Sequence, residues 1–202
     1  MSATVDYYFA PQSPWTFLGH ERFVQMLRMT GSSARVLPAD FGRIFAVSGG
    51  LPLGKRAPQR QAYRLVELQR FSSHLGVPMN IEPQYFPVAA DPSARLIVAC
   101  ALQAGDDAAL ALAGAVFAAC WQQQRDIASD ATLAELLAEQ GLPPALLERS
   151  KEAEVQARYD ANTQQAIDAG VFGAPTYVVD GEPFWGVDRL AQIERWLKEG
   201  GF

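Results

Sequence analysis

The sequence predicts an α/β fold in which a block of helices interrupts a smaller domain that contains the strands. Two observations predict it. Apolar segments rich in β-formers lie near the two ends of the chain, and the middle has apolar residues at helical spacing almost throughout. We therefore expect residues 1–58 and 170–202 to form one discontinuous α/β domain, with residues 59–169 as an all-helical insertion whose last helix leads back into it.

The N-terminal part of the predicted α/β domain has the order β-α-β. Residues 4–10 are apolar and rich in β-formers, which predicts a buried strand that ends at the segment Pro11–Pro14. Residues 15–30 carry apolar side chains at helical spacing, and residues 34–38 predict a second strand. The segment from Val47 to Pro58 is rich in glycine and proline, so we expect it to be a connection.

Glycine and proline divide the middle of the chain into five predicted helices. They cover residues 59–74, 92–104, 107–125, 130–140 and 144–169. Asp91 and Asp130 are the expected N-caps of two of them, because a short side-chain acceptor satisfies the free N–H groups at a helix start.

Strand signals return after the helical block. Residues 176–179 predict a strand, 181–183 a turn, 184–185 a second short strand, and 188–199 an amphipathic helix. Without the insertion the element order is that of a thioredoxin-like fold. The predicted fold class is therefore a thioredoxin-like domain with an inserted all-helical domain.

Charge and composition exclude several classes of partner. The net charge is −5 and the basic residues are scattered, which argues against nucleic acid or an anionic membrane surface as partner. The uncharged run that begins at Ala108 has too few consecutive apolar residues to span a bilayer as a helix. Because the first residues do not resemble a secretion signal, we expect a cytoplasmic protein.

The two cysteines and two histidines predict neither a redox centre nor a metal site. The spacing of Cys100 and Cys120 fits neither a Cys-X-X-Cys motif nor a zinc site, so we expect buried, inert thiols. His20 and His74 lie far apart, and neither has a second ligand three or four residues away.

The first functional candidate is Ser13, at the start of the first predicted helix. A serine N-cap followed by a proline at the first helical position has a purely structural explanation. However, Ser13-Pro14-Trp15-Thr16 stands where a thioredoxin site has Cys-X-X-Cys, so hydroxyls replace both sulfurs and disulfide exchange is excluded. A helix N-terminus favours an anion, so the Ser13 hydroxyl there can stabilise a thiolate that a ligand brings.

Two further motifs extend this candidate site. Ala174-Pro175 is either an ordinary turn or a cis-proline loop whose Ala174 backbone pairs with a peptide-like ligand. The turn from Trp185 to Asp188 is either a core aromatic with an N-cap or a binding site, with N–H groups for a carboxylate and Asp188 for an ammonium group. Glutathione combines such an amino-acid end with a peptide backbone and a thiol.

Together these motifs resemble the 2-hydroxychromene-2-carboxylate isomerases, relatives of the kappa-class glutathione transferases. The resemblance covers nearly the whole chain and rests on the following segments: Asp6–Phe9, Ser13–Leu18, Arg158–Asp160, Thr163, Ala166-Ile167, Val171–Thr176 and Phe184–Leu190. It implies a homodimer with glutathione as cofactor and a small aromatic carboxylate as substrate. It also implies the roles of the site residues: catalytic Ser13, and cofactor binding by Ser13, Ala174, Pro175, Trp185, Gly186, Val187 and Asp188.

The substrate side departs from the family pattern. Family members tend to have an asparagine in the loop Ser48–Pro52, where this chain has glycine. The expected substrate-binding residues are Lys55, Arg56, Arg43 and Tyr85. The predicted function is a glutathione-dependent isomerase acting on 2-hydroxychromene-2-carboxylate or a similar intermediate of aromatic catabolism. A kappa-like glutathione transferase and a non-catalytic thioredoxin-like binding module are the alternatives.

Overall fold

The computed structural model describes residues 3–201. The strands are β1 (Thr4–Phe9), β2 (Ser33–Pro38), β3 (Thr176–Val179) and β4 (Glu182–Trp185). The helices are α1 (Pro14–Thr30), α2 (Phe41–Ser48), α3 (Pro58–Leu75), α4 (Asp91–Ala104), α5 (Asp106–Trp121), α6 (Asp130–Glu139), α7 (Ala145–Arg149), α8 (Ala153–Asp168) and α9 (Leu190–Glu199). Short 3₁₀ turns cover Leu53–Lys55 and Val187–Arg189.

The four strands form one mixed sheet in the order β2-β1-β3-β4. β1 pairs in parallel with β2, whereas β3 runs antiparallel to both β1 and β4. Since a parallel pair needs a crossover connection, α1 joins β1 to β2, while β3 and β4 are joined directly through Asp180 and Gly181. Both of these residues have positive φ, which is typical of a tight hairpin turn.

Helices cover both faces of the sheet. On one face Tyr7 stacks on Tyr177, with ring centroids 5.3 Å apart, and belongs to a core that includes residues of α1, α4, α5 and α9. On the other face Tyr8 and Val178 pack with residues of α2 and α8. The first core is continuous from the sheet into the helical segment, because the ring of Phe9 packs on the ring of Phe117 in α5, with centroids 5.2 Å apart.

The largest difference from the sequence prediction is α2, which was not expected. Its ends are well defined: the Asp40 carboxylate accepts hydrogen bonds from the N–H groups of Gly42 (2.8 Å) and Arg43 (3.3 Å), and Gly49 ends the helix in the left-handed conformation. The helix has only eight residues, includes Gly42 and is followed by Gly49 and Gly50, which favour a connection over a helix. The predicted connection Val47–Pro58 therefore begins inside a helix.

Both predicted aspartate N-caps are wrong by one position. Asp91 and Asp130 lie in the first turns of α4 and α6, and neither helix has a side-chain cap. Asp91 instead accepts a hydrogen bond from the Tyr159 hydroxyl at 3.3 Å, and Asp130 pairs with Lys151 at 2.9 Å. An acidic side chain in the first turn still interacts favourably with the helix dipole.

Other helix ends also differ from the prediction. The helix predicted over 144–169 is two helices, α7 and α8, because the backbone of Glu152 between them is extended. The helix predicted to end at residue 125 ends at Trp121. Residues 182 and 183, predicted as part of a turn, belong to β4.

The two cysteines are buried, as expected from the sequence. Cys100 and Cys120 are buried and free, and burial raises the pKa of their thiols to about 11 and about 12, so both stay protonated and unreactive at neutral pH. Within residues 3–201 there is no group of three or more metal-ligating side chains. In the same range, no helix is long and apolar enough to cross a membrane.

His20 of α1 is a buried titratable group in the core. It lies 3.4 Å from the Tyr7 hydroxyl through Nδ1, and its ring contacts Phe117 edge-on. A Cβ at Gly114 would lie 2.8 Å from Nε2, so the Ala-rich helix α5 needs a glycine where it passes this ring. Burial lowers the pKa of His20 from 6.5 to about 4, although a hydrogen bond with the Leu110 backbone opposes the shift.

We expect His20 to make the fold sensitive to mild acid. The unfolded chain takes up a proton near pH 6.5 that the folded chain resists down to about pH 4, so stability falls as the pH drops through this window. The full loss is on the order of 3 kcal/mol. Denaturant unfolding at several pH values between 7 and 4 measures this loss as the slope of the free energy of unfolding against pH. We expect His20→Gln to reduce that slope.

The exposed His74 provides the matched control. His74→Gln should keep the wild-type pH slope. Equal slopes for wild type and His20→Gln would contradict the assignment of the effect to His20.

Candidate functional site

Strand register places the three sequence motifs at one end of the sheet. Tyr8 pairs with Thr176, and Thr176 pairs with Trp185. The loop that follows β1 towards Ser13, the loop that precedes β3 and the turn that follows β4 therefore leave the sheet at the same end. This convergence forms the candidate site.

Ser13 caps α1, as the sequence predicts. Its Oγ accepts a hydrogen bond from the Thr16 N–H at 3.3 Å, and its own N–H donates to the Ala10 carbonyl at 2.9 Å. Accepting that bond leaves the Ser13 O–H proton free to donate to a ligand. Pro14 has no N–H, and the Trp15 N–H makes no hydrogen bond within residues 3–201, so the helix start offers both a hydroxyl and a backbone donor.

The second hydroxyl of the motif is not available to a ligand. Thr16 is fully buried, and its Oγ1 has no hydrogen-bond partner among the described residues. Of the two side chains that replace the redox cysteines, only the half-buried Ser13 can reach a ligand.

Of the two alternatives for the loop before β3, the structure has the cis bond between Ala174 and Pro175. The Pro175 carbonyl accepts a hydrogen bond from the Gly186 N–H at 3.0 Å, so the loop is tied to the turn after β4. The half-buried Ala174 makes no backbone hydrogen bond within the described chain. An unpaired peptide unit at this position can pair with the backbone of a peptide-like ligand.

The turn after β4 differs from the predicted capped helix. Asp188 lies in a 3₁₀ turn and caps no helix; its carboxylate pairs with Arg189 at 2.6 Å, and both side chains are about half exposed. Gly186 has a φ of 108° and packs so closely on Asp188 that a Cβ would lie 2.7 Å from Oδ1. Val187 is buried against Gly19 of α1, so only its backbone can reach a ligand.

A cleft of ≈ 790 Å³ opens between this end of the sheet and the start of α3. Its apolar lining includes Trp15, Phe45, Leu51, Tyr63, Phe172 and Trp185. A smaller hollow of ≈ 450 Å³ adjoins it, shares Trp15, Ala174 and Trp185 with it, and continues along the turn Gly186–Arg189. A larger cavity, ≈ 1030 Å³ between α1 and α5, is lined by none of the three motifs.

The cleft has a cationic side formed by Arg56, Arg60 and Arg64. Of the predicted substrate-binding residues, only Arg56 lines it; Lys55, Arg43 and Tyr85 do not. Arg43 instead forms an exposed ion pair with Asp160 at 2.8 Å.

Sequence reasoning missed Arg60 and Arg64. Their spacing of four residues is a signal that they share one face of α3, whereas Arg56 lies just before the helix. What the spacing does not tell is that this face lines the cleft.

Gly50, in the loop Ser48–Pro52, packs closely against Phe45 of α2. A Cβ at this position would lie 2.3 Å from Cδ1 of Phe45, whose ring fills the adjacent space. No larger residue fits at position 50 while Phe45 keeps this position. The cleft wall is therefore apolar at this point.

Comparison with known proteins finds a matching family, similar sequences and a similar solved structure. The sequence profile of the DSBA-like thioredoxin domain family matches residues 4–198. A 2-hydroxychromene-2-carboxylate isomerase from Pseudomonas putida is 30% identical over 195 residues, covering 94% of this chain and 92% of the relative. Glutathione S-transferase kappa 1 from Caenorhabditis elegans is 24% identical, covering 96% and 91%. The solved structure of a 2-hydroxychromene-2-carboxylate isomerase has a TM-score of 0.84 at 25% identity, covering 97% and 95%.

The mixed sheet, the cis-proline loop and the helix start after β1 define a DsbA-like thioredoxin fold. The chain belongs to the DSBA-like thioredoxin domain family and, within it, to the 2-hydroxychromene-2-carboxylate isomerase family. The predicted resemblance and fold class are thereby confirmed, and the predicted isomerase class is confirmed at the level of the family.

We expect Gly173→Ala to displace Trp185. A Cβ at position 173 would lie 2.3 Å from the indole Nε1, so the ring must leave the cis-proline loop. Trp185 is 53% exposed, so a change in its environment should change the tryptophan fluorescence of the protein. Trp185→Phe identifies the part of the fluorescence that comes from Trp185. Gly54→Ala is the control, because nothing lies within 4 Å of a Cβ there. An unchanged Trp185 signal in Gly173→Ala would contradict the expected packing.

Proposed function

We propose that the protein is a glutathione-dependent isomerase that acts on 2-hydroxychromene-2-carboxylate or a similar intermediate of aromatic catabolism, with Ser13 holding the glutathione thiolate. The observation that carries the proposal is the Ser13 hydroxyl at the start of α1, at the same sheet end as the unpaired Ala174 backbone. The names of the Pseudomonas putida and Caenorhabditis elegans relatives support the reaction and the cofactor respectively.

The residues present fit glutathione. The Ser13 O–H and the Trp15 N–H are donors for its sulfur, and the N-terminal end of the α1 dipole favours the anionic form. The Ala174 peptide unit would pair with the cysteinyl unit. Gly186 and Asp188 would bind the γ-glutamyl end, with the Asp188 carboxylate shared between the ligand ammonium and Arg189.

When bound, glutathione supplies a thiolate that adds reversibly to the conjugated double bond of the ring-opened substrate, so that rotation about the resulting single bond yields the trans isomer and the thiolate leaves unchanged. The role of Ser13 is to keep the sulfur deprotonated by donating its O–H to it. An unperturbed thiol has a pKa of about 8.5, so without this donor most of it is protonated at neutral pH. Trp15, Tyr63 and Trp185 provide aromatic surfaces for the substrate.

The cationic side of the cleft would stabilise the negative charge that addition transfers to the pyruvoyl oxygen of the substrate. Arg56, Arg60 and Arg64 line the same cleft as the aromatic surfaces, whereas the chain as a whole carries a net charge of −5. Preorganised cations in a partly desolvated cleft act more strongly than in water. The initial substrate candidates Lys55, Arg43 and Tyr85 are replaced in this proposal by Arg60 and Arg64.

A kappa-like glutathione transferase is the second candidate, and the Caenorhabditis elegans relative is the finding that favours it. In that reaction the thioether would be released instead of collapsing back. Product analysis separates the two: an isomerase returns all the free glutathione, and a transferase accumulates a conjugate. A non-catalytic binding module would also leave all the glutathione free, but it would form neither the trans isomer nor a conjugate.

Three organisational proposals accompany this function. We propose that residues 59–169 are an insertion into the domain formed by residues 1–58 and 170–202, that the protein is a homodimer, and that it is cytoplasmic. Light scattering of the purified protein tests the dimer. Expression of the isolated segment 59–169 tests whether the insertion folds alone.

We expect Ser13→Ala to lower turnover by about 10²–10³-fold, the range found for loss of one preorganised donor. Its effect on the free energy of unfolding should be only about 1 kcal/mol, from loss of the N-cap. The ultraviolet absorbance of the bound thiolate should titrate at a higher pH in the variant. Turnover, unfolding and thiolate titration are measured on the same preparation.

Ser13→Asp separates the two roles of this serine. Aspartate is also a good N-cap, so it should retain the stability, but its carboxylate cannot donate to a thiolate and repels it. We therefore expect a stable, inactive protein. Full activity in either variant would exclude Ser13 as the thiolate donor.

A further inference from the structure

The three arginines of the cleft have no carboxylate partner within residues 3–201. Arg56 donates from Nε to the Leu51 carbonyl at 2.8 Å, and neither Arg60 nor Arg64 forms an ion pair there. The carboxylate that lines the same cleft, Glu67, is paired with Arg70 at 2.6 Å. The cleft thus has an uncompensated positive charge.

Arg64 differs from the other two in how it is held. Its guanidinium lies over the rings of Phe86 and Trp121, at 5.1 and 5.9 Å from their centroids. These contacts fix the plane of the guanidinium without neutralising its charge. One terminal nitrogen, Nη2, is buried and has no hydrogen-bond partner in the described chain.

Burial and the nearby Arg56 oppose the charge on Arg64. Together they lower its pKa from 12.5 to about 10, with burial as the larger cause. At neutral pH the group is still protonated, so a charged guanidinium is held in a partly desolvated place beside a second cation. Such an arrangement is stabilised when an anion binds.

We propose that Arg64 is the centre of a carboxylate subsite in the cleft and determines its preference for anionic ligands. The inference rests on the proposed function, which supplies two carboxylates that can occupy the subsite: that of the aromatic substrate and that of the glycyl end of glutathione. Arginine can bind either carboxylate, because its planar guanidinium donates two parallel hydrogen bonds in a bidentate geometry.

A carboxylate is a better match than a phosphate or a purely apolar ligand. The apolar side of the cleft (Phe45, Leu51 and Phe172) faces a ligand with a hydrophobic body. The ligand class that fits both sides is a planar aromatic acid, or a peptide acid bound alongside one.

A purely structural role for Arg64 makes a different prediction. If the guanidinium only ties α3 to Phe86 and Trp121, removing it would weaken every ligand equally. A carboxylate subsite affects only ligands that carry the carboxylate. The comparison of charged and neutral forms of one ligand therefore separates the two roles.

The first arm of the experiment measures calorimetric binding of 1-naphthoate and of its neutral analogue 1-naphthamide. It needs no turnover, so it tests the subsite even if the proposed isomerase activity fails. Arg64→Met should weaken 1-naphthoate about 10–100-fold, as expected for loss of a charge-assisted hydrogen bond, and leave 1-naphthamide unchanged. Arg28→Met is the control, because Arg28 of α1 is an exposed arginine that does not line the cleft.

The second arm distinguishes the source of the carboxylate. Glutathione and its glycyl monoethyl ester are titrated into wild type and Arg64→Met. If the glycyl end occupies the subsite, the variant loses affinity for glutathione but not for the ester. If the substrate does, both forms bind as in wild type, and Arg64→Met raises KM for 2-hydroxychromene-2-carboxylate with a smaller effect on kcat.

Arg64→Lys keeps the charge but loses the planar fork, and it covers the case in which Arg64→Met does not fold. We expect it to retain binding of 1-naphthoate at reduced affinity, again with 1-naphthamide unaffected. Equal weakening of charged and neutral ligands in the folded variants, or unchanged 1-naphthoate binding, would overturn the proposal. Absence of glutathione-dependent turnover in wild type would overturn the proposed function instead.

Discussion

The register of the central sheet is the constraint on which the site depends. Pairing of Tyr8 with Thr176 and of Thr176 with Trp185 fixes where three loops leave the sheet, and these loops lie more than 150 residues apart along the chain at their extremes. A shift of one residue would exchange the faces of each strand and move Tyr7 and Tyr177 out of the core. The buried aromatic stack of these two rings therefore sets the geometry of a surface that it does not itself contact.

Close backbone contacts then hold the loops together once the sheet has brought them near. Gly19 lets α1 approach Val187, Gly173 lets the Trp185 indole lie on the cis-proline loop, and the Gly186 N–H bonds to the Pro175 carbonyl. Polar groups that remain unpaired in the described chain, such as the Ala174 peptide, are then concentrated at one place. Because the surrounding loops are tied down, these groups need little reorganisation to bind a ligand.

Local sequence signals were sufficient for the start of α1, where Ser13 is the N-cap. They left the isomer of the Ala174-Pro175 bond open, and they misplaced Asp188, which caps no helix. The helix starts at Asp91 and Asp130 were misplaced by one residue, because an acidic side chain is favourable both as a cap and in the first turn. Helix α2 was missed because it is only eight residues long and the glycines in it and after it favour a connection.

The cationic side of the cleft could not be predicted in the same way. Its position depends on the tertiary contacts of α3. Phe71 of this helix packs on Trp15, with ring centroids 5.4 Å apart, and the Arg64 guanidinium lies over the rings of Phe86 and Trp121. No local pattern carries that information. Lys55 and Arg56 are the cationic residues that follow the loop Ser48–Pro52 in sequence, so they were the obvious candidates. Only Arg56 lines the cleft.

The contact between Gly50 and Phe45 has a consequence for how this protein can change over evolutionary time. Neither position can vary freely: a side chain at 50 clashes with the ring, and loss of the ring alone leaves a gap in the wall. A polar side chain at position 50 therefore requires a smaller residue at position 45 first. Ligand preference at this wall is inherited as a linked pair, so it should diverge in steps rather than by single, independent substitutions.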